Sequence, residues 1–155
     1  MLQDSGNDWS VYEEKLYECF RKDFIESKPA WPRKRVGLKR HPLTNGKEAT
    51  FWHFIGENKL EADQLRRCER IRWPRPVMNA FPNRKSQPAD QIIWWMSQRH
   101  TEARFVLALA DFSYVVVVAD RGDYVLPWTA YCIEQVHRRT KLRKECATYW
   151  NSRKS

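Results

Sequence analysis

The chain has 155 residues, 42% apolar, 14% aromatic and 30% charged, with only five glycines and a formal net charge of +9. Those proportions suit one domain with one hydrophobic core and exclude a low-complexity or fibrous protein. No apolar run approaches the ~20 residues of a membrane-spanning helix, and the basic excess suits a polyanionic partner or a solvated, solubilising surface.

Asn7 to Glu26 carries Trp9, Tyr12, Leu16, Cys19 or Phe20, and Phe24 at three- and four-residue spacing, which predicts an amphipathic helix. Ser10-Val11-Tyr12-Glu13 offers a capping box, and Pro29 stops the helix after Ser27. Residues 1–27 carry three basic and seven acidic side chains, a net of −4. That acidic face suits packing and solvent, not phosphate.

Residues 28–47 hold seven Lys or Arg and no acid. Arg35 to Leu38 reads as a short strand. His41-Pro42 leads into Thr44-Asn45-Gly46, a turn composition that suits a hairpin. The return strand is Glu48 to Ile55, with Phe51, His53 and Ile55 on one face and Thr50, Trp52 and Phe54 on the other. Gly56 to Asp63 is a polar loop. In "QLRRCERIRWPRP", Pro74 and Pro76 forbid a continuous helix, with a helical turn around Val77 to Ala80. Pro82 to Ala89 reads as a loop, and Asp90 to Arg99 as a short helix capped by Asp90 that buries Ile93 and Trp94.

Three strands follow. They are Arg104 to Ala110, Tyr114 to Ala119 with its unbroken Val115 to Val118, and Tyr124 to Ile133. Asp120-Arg121-Gly122-Asp123 is the turn between the last two. Pro127 lacks a donor, so its strand is an edge or is bulged there. Alternation puts Val125, Thr129, Tyr131 and Ile133 on one face, and Leu126, Trp128 and Ala130 on the other. Glu134 to Trp150 reads as a helix with a sparse stripe of Val136, Leu142, Cys146, Tyr149 and Trp150. Residues 137–155 carry a net charge of +6.

The expected architecture is α+β: a packing helix within 1–27, a core at 28–133 bearing an antiparallel sheet of about five strands, and a basic helix and tail at 134–155. The four cysteines, Cys19, Cys68, Cys132 and Cys146, lack Cys-x-x-Cys spacing and read as reduced thiols. With no basic-then-apolar leader pattern, the expected location is cytoplasmic.

Three sets of side chains can carry chemistry. His41, His53, Thr129 and Tyr131 can serve RNA cleavage without metal, which needs a base for the ribose 2′-OH and an acid for the leaving oxygen. It also needs donors for the charge on phosphorus. Histidine titrates in the useful range. Equally, His41 suits a turn before proline and His53 a hydrogen-bonded core position. Arg138, Arg139, Lys141, Arg143 and Lys144, with His137, can line one basic helical face for a phosphate backbone, or simply face solvent. Arg66, Arg67, Arg70 and Arg72 beside Trp73 can hold phosphate and stack on unpaired bases, or pair with Asp63 and Glu69. No His-x-x-x-His, acidic cluster or Gly-rich loop suggests a metal or nucleotide cofactor.

The order "TFWHFI", "RRCERIRW", "YVVVVADRGDYVLPWTAY" and "HRRTKLRKE" resembles small phage- and mobile-element-associated proteins of the barnase–EndoU–colicin–RelE group of nucleases. The resemblance spans about residues 35 to 145. It implies helices packed on a curved antiparallel sheet and metal-independent RNA cleavage. It also implies acid/base work by His53 with His41, a late-strand hydroxyl at Thr129, and phosphate contacts from Arg70 or Arg72 with Arg139. The leading expectation is therefore an endoribonuclease, a toxin or phage-linked effector whose partners are RNA and an acidic antitoxin, immunity or inhibitor protein. The alternatives are a non-catalytic nucleic-acid-binding module and an effector that binds an acidic protein.

Overall fold

A computed structural model describes residues 9–56, 61–81 and 92–153. The first helix, α1 (Trp9–Arg21), runs on into a π-helical turn, Lys22–Glu26. Its stripe of Tyr12, Leu16, Phe20 and Phe24 is at most 1% exposed. A strict four-residue stripe drifts around an α-helix by about 40° per step. The wider π-turn takes up that drift and keeps Phe24 beside Phe20, with ring centroids 5.5 Å apart. Ser10, expected as the cap, lies within α1, and Glu13 pairs with Lys47 at 3.3 Å.

Arg35–Val36 forms β1, only two residues long. The turn after it is as expected: Thr44 and Lys47 exchange backbone hydrogen bonds around Asn45 and Gly46, both at positive φ. It does not join two strands. The expected strand Glu48–Ile55 is a helix, α2 (Ala49–Ile55). Its residues favour strands, but Phe51, Trp52, Phe54 and Ile55 are all buried, and a short helix apolar on most sides suits that enclosure. The amides of Ala49 and Thr50 bond the carbonyls of Arg40 and Lys39, and Thr50 Oγ1 accepts from the Lys39 amide at 2.8 Å. Left-handed Gly56 ends the helix.

The segment expected to be a loop up to Asp63 is helical from Glu61, where α3 (Glu61–Glu69) begins; residues 57–60 lie outside the described set. The chain restarts at α4 (Pro74–Asn79), with proline in the first turn where its missing N–H costs nothing. The loop expected at Pro82 to Ala89 lies outside the described residues, as does Asp90. The helix expected from Asp90 is instead a strand, β2 (Ile92–Arg99). Adjacent Trp94 and Trp95 are both buried but on opposite sides of the sheet, in separate core clusters, which only an extended chain allows.

The remaining strands are β3 (Glu102–Leu109), β4 (Tyr114–Asp120) and β5 (Tyr124–Cys132). The sheet order is β1-β5-β4-β3-β2. Four strands are antiparallel and β1 joins β5 in parallel, so the sheet is mixed. The α+β class and the count of five strands stand, with two changes of membership. Helix α5 (Val136–Asn151) closes the described fold. One face of the sheet packs under α1, α2 and α4; the other packs under α5 through Trp95, Ile133 and Cys146. Val136, expected in the packing stripe, is 73% exposed. The four cysteines form no disulfide. Among the described residues no helix is long and apolar enough to cross a membrane.

Pro127 marks a β-bulge, as anticipated. Val117 pairs with Thr129 and Val118 with Pro127, leaving Trp128 as the extra residue. The bulge resets the alternation. Val125 and Ala130 fall in one core cluster, whereas Tyr131 and Ile133 pack with the other, so Val125 does not share a face with Tyr131 and Ile133.

Candidate functional site

A cleft of ≈ 520 Å³ opens between α2, the turn before it, the late half of β5 and the start of α5. Five sequence-predicted residues line it: His53, Thr129, Tyr131, Arg67 and Arg138. They reach one place because α2 and α3 both pack on β5, the helix and sheet faces meeting beside the bulge.

His53 is the half-buried member of an otherwise buried α2, and its ring centroid lies 4.9 Å from that of Trp128. Beneath it is a polar knot. Arg67 donates Nη1 to the His53 carbonyl at 3.2 Å and to Thr129 Oγ1 at 3.1 Å, and Nε to Asp63 at 2.9 Å. Thr129 in turn donates Oγ1 to the His53 carbonyl at 3.4 Å. The Arg67 side chain is 8% exposed. Thr129 Oγ1 and the Nε and Nη1 atoms of Arg67 therefore tie α2, α3 and β5 together beneath His53. Tyr131 lies beneath the Arg67 guanidinium, 5.5 Å from Cζ to ring centroid. Burial raises its phenol pKa, so it stays protonated at neutral pH.

Arg138, in the first turn of α5, is exposed. It also lines a second depression of ≈ 400 Å³ that shares Arg67 and Tyr131 with the first. An exposed ion pair, Arg66 to Glu134 at 3.0 Å, spans that second depression. Arg67, Tyr131 and Arg138 thus border both depressions.

Other expected site residues lie elsewhere. His41 is exposed and its neighbour Pro42 lines the cleft, so the proposed histidine pair does not converge there. The expected return strand is helix α2, which carries His53 against Trp128 of β5. Arg72 pairs with buried Asp23 at 2.9 Å, tying the segment after α3 to the π-turn. Arg70 bonds the Arg66 carbonyl at 3.1 Å and covers Trp73, which packs on Tyr114. Arg139 donates to the Ile133 carbonyl at 2.7 Å, and Arg143 lies over Phe112. Lys141 and Lys144 are exposed along a shallow groove with His137. The basic face of α5 is thus partly spent on its own seating.

Trp52 and Trp128 line the cleft and were not singled out by sequence reasoning. Trp52 donates its indole to the Thr44 carbonyl at 3.1 Å and fixes the turn. For Trp128 the available signal was its place beside a strand-breaking proline. Among the described residues lining the cleft there is no carboxylate and no second histidine. No group of three or more His, Cys, Asp or Glu able to hold a metal occurs among the described residues.

The fold and site define a small α+β protein with a cationic, aromatic-lined cleft built around one histidine. Comparison of the chain with protein-family models, curated proteins and solved structures finds no match.

Proposed function

We propose that the cleft is the active site of a metal-independent endoribonuclease related to the nuclease group that the sequence resembles. The observation that carries this reading is the meeting of His53, Tyr131 and Arg138 in one open cleft. His53 takes the proton from the ribose 2′-OH as that oxygen attacks the neighbouring phosphorus. The bond from phosphorus to the 5′-oxygen breaks, and the departing oxygen takes a proton from solvent. The products are a 2′,3′-cyclic phosphate and a 5′-hydroxyl. Arg138 and the neutral Tyr131 hydroxyl hold the charge that gathers on the phosphate oxygens. Thr129 and Arg67 keep α2 in place.

The test is cleavage of single-stranded RNA in excess chelator. Wild type should release cyclic-phosphate ends, and His53→Ala should be slower by about 10²-fold or more. Full cleavage by His53→Ala, or none by wild type, sinks the mechanism.

One observation favours a second reading, a non-catalytic nucleic-acid-binding module: a single acid/base side chain lines the cleft among its described residues. In that case the protein binds RNA with a steep salt dependence and cleaves none. Failure to bind any nucleic acid at low salt would point instead to an acidic protein partner.

A further inference from the structure

The Trp128 indole is only partly buried and lines the cleft wall. Its position has a backbone cause. It is the extra residue of the β5 bulge, and bulges re-aim side chains out of the regular alternation. Its surroundings are cationic. Arg104 Cζ lies 5.1 Å from its ring centroid, and Lys39 Nζ and Arg121 Cζ each lie 5.9 Å away. These three come from β3, the segment before the Thr44 turn, and the β4–β5 turn. Glu102 pairs with both arginines, at 2.9 and 2.8 Å, which leaves this collar with an excess of positive charge. The His53 ring completes the group at 4.9 Å.

We infer that Trp128 and its collar of Lys39, Arg104 and Arg121 form a nucleotide subsite that takes one unpaired base of single-stranded RNA and its flanking phosphate. An aromatic side chain with cations over its ring and a surface on the cleft matches a ligand that carries a π-face and a negative charge together, which a nucleotide does. A paired base is already stacked on both faces and does not reach the platform, so the subsite selects single strands over duplex. The contact with His53 sets the bound nucleotide beside the bond to be cut. This inference rests on the RNA-cleaving reading of the cleft and adds the strandedness of its substrate.

The experiment uses a 2′-O-methyl oligoribonucleotide, which cannot undergo 2′-OH attack, in chelator and at low salt. Binding is followed by anisotropy of a labelled strand and by tryptophan fluorescence. Wild type should bind the single strand with quenching. Trp128→Ala should weaken binding about tenfold, and Trp128→Phe should retain most of the affinity while losing the quenching. A self-complementary duplex of the same length should show no difference between wild type and Trp128→Ala. Circular dichroism melts of both variants keep folding apart from binding. Unchanged affinity in a folded Trp128→Ala, equal weakening by Ala and Phe, or an equal effect on the duplex overturns the subsite. Binding of this kind without cleavage of unmodified RNA would remove the nuclease reading and leave the subsite standing. Cleavage whose KM is indifferent to Trp128→Ala would do the reverse.

Discussion

The Arg67 guanidinium and the Thr129 hydroxyl lie 3.1 Å apart, and both donate to the backbone carbonyl of His53. Residues far apart in sequence thus hold the last turn of α2 against the bulged strand. The His53 carbonyl also accepts from the capping Gly56 amide at 3.3 Å, so the two side chains reinforce the end of α2, and the imidazole on the same residue lines the cleft.

Thr129→Val keeps the shape and removes the hydroxyl. The expected result is a loss of about 1 kcal/mol of stability and a fall in kcat for RNA cleavage with little change in KM. Thr129→Ser should restore both. A fall confined to KM would mean that the hydroxyl touches substrate and does not act through His53. Urea melts and steady-state rates measure the two parts.

Arg72 and Arg138 both looked like phosphate ligands in the sequence, and the fold separates them. Arg72→Ala leaves the buried Asp23 carboxylate without its ion pair. It should lower stability by about 1–3 kcal/mol and leave RNA affinity intact. Arg138→Ala should do the opposite: an unchanged melt, weaker RNA binding, and a log–log salt slope smaller by about one. Salt titrations of binding beside thermal melts check both.

Glu134 sets a negative charge in the second depression, where it holds Arg66. Glu134→Gln removes that charge and releases Arg66. The pair is exposed, so stability should stay nearly unchanged. Binding of single-stranded RNA should tighten severalfold, and Arg66→Ala should weaken it. If both variants bind as wild type does, the strand does not extend past Arg138.

Tyr17 donates to Glu48 Oε1 at 2.8 Å and anchors α1 to the start of α2. Burial first, then this bond and the Glu48 charge, raise its pKa from 10.0 to about 12. A proton held more tightly in the folded state than in the unfolded one contributes stability in full below pH 10. That contribution is lost as pH rises towards 12. Buried Cys68, also raised to about 12, adds to the same alkaline loss. Urea melts from pH 9 to 12 should show declining stability, and Tyr17→Phe should flatten part of the decline. An unchanged decline in Tyr17→Phe would place the effect elsewhere.

Long, strongly patterned segments were legible from the chain. The four-residue stripe of α1, the unbroken valines of β4 and the Arg121-Gly122-Asp123 turn each carry a local signal that tertiary contacts reinforce. Pro127 announced its bulge because a missing donor is a property of the residue itself. Short segments were not legible. "ATFWHFI" and "IIWWMSQR" are both apolar and rich in strand formers, yet one is α2 and the other β2. Seven or eight such residues do not separate the two periods. What separated them was what lies around each: α1 and β5 beside the first, and two core faces on either side of the second. The left-handed Gly56 was the one local sign of the helix.

The site divides along the same line. Sequence by itself determined the chemistry on offer, namely a basic chain with one histidine amid aromatic residues and a hydroxyl pair on the last strand. Residue types and charge are properties of the chain. Tertiary structure alone decided which of those groups meet. It joined His53 to Arg67, Thr129, Tyr131 and Arg138, left His41 outside, spent Arg72 on Asp23, and turned Trp128 into the cleft. Such choices depend on which helix packs on which strand, and on one extra residue that shifts the phase of β5. Contacts between residues dozens of positions apart have no local signature, because the free energy that selects them comes from burial shared across the whole core.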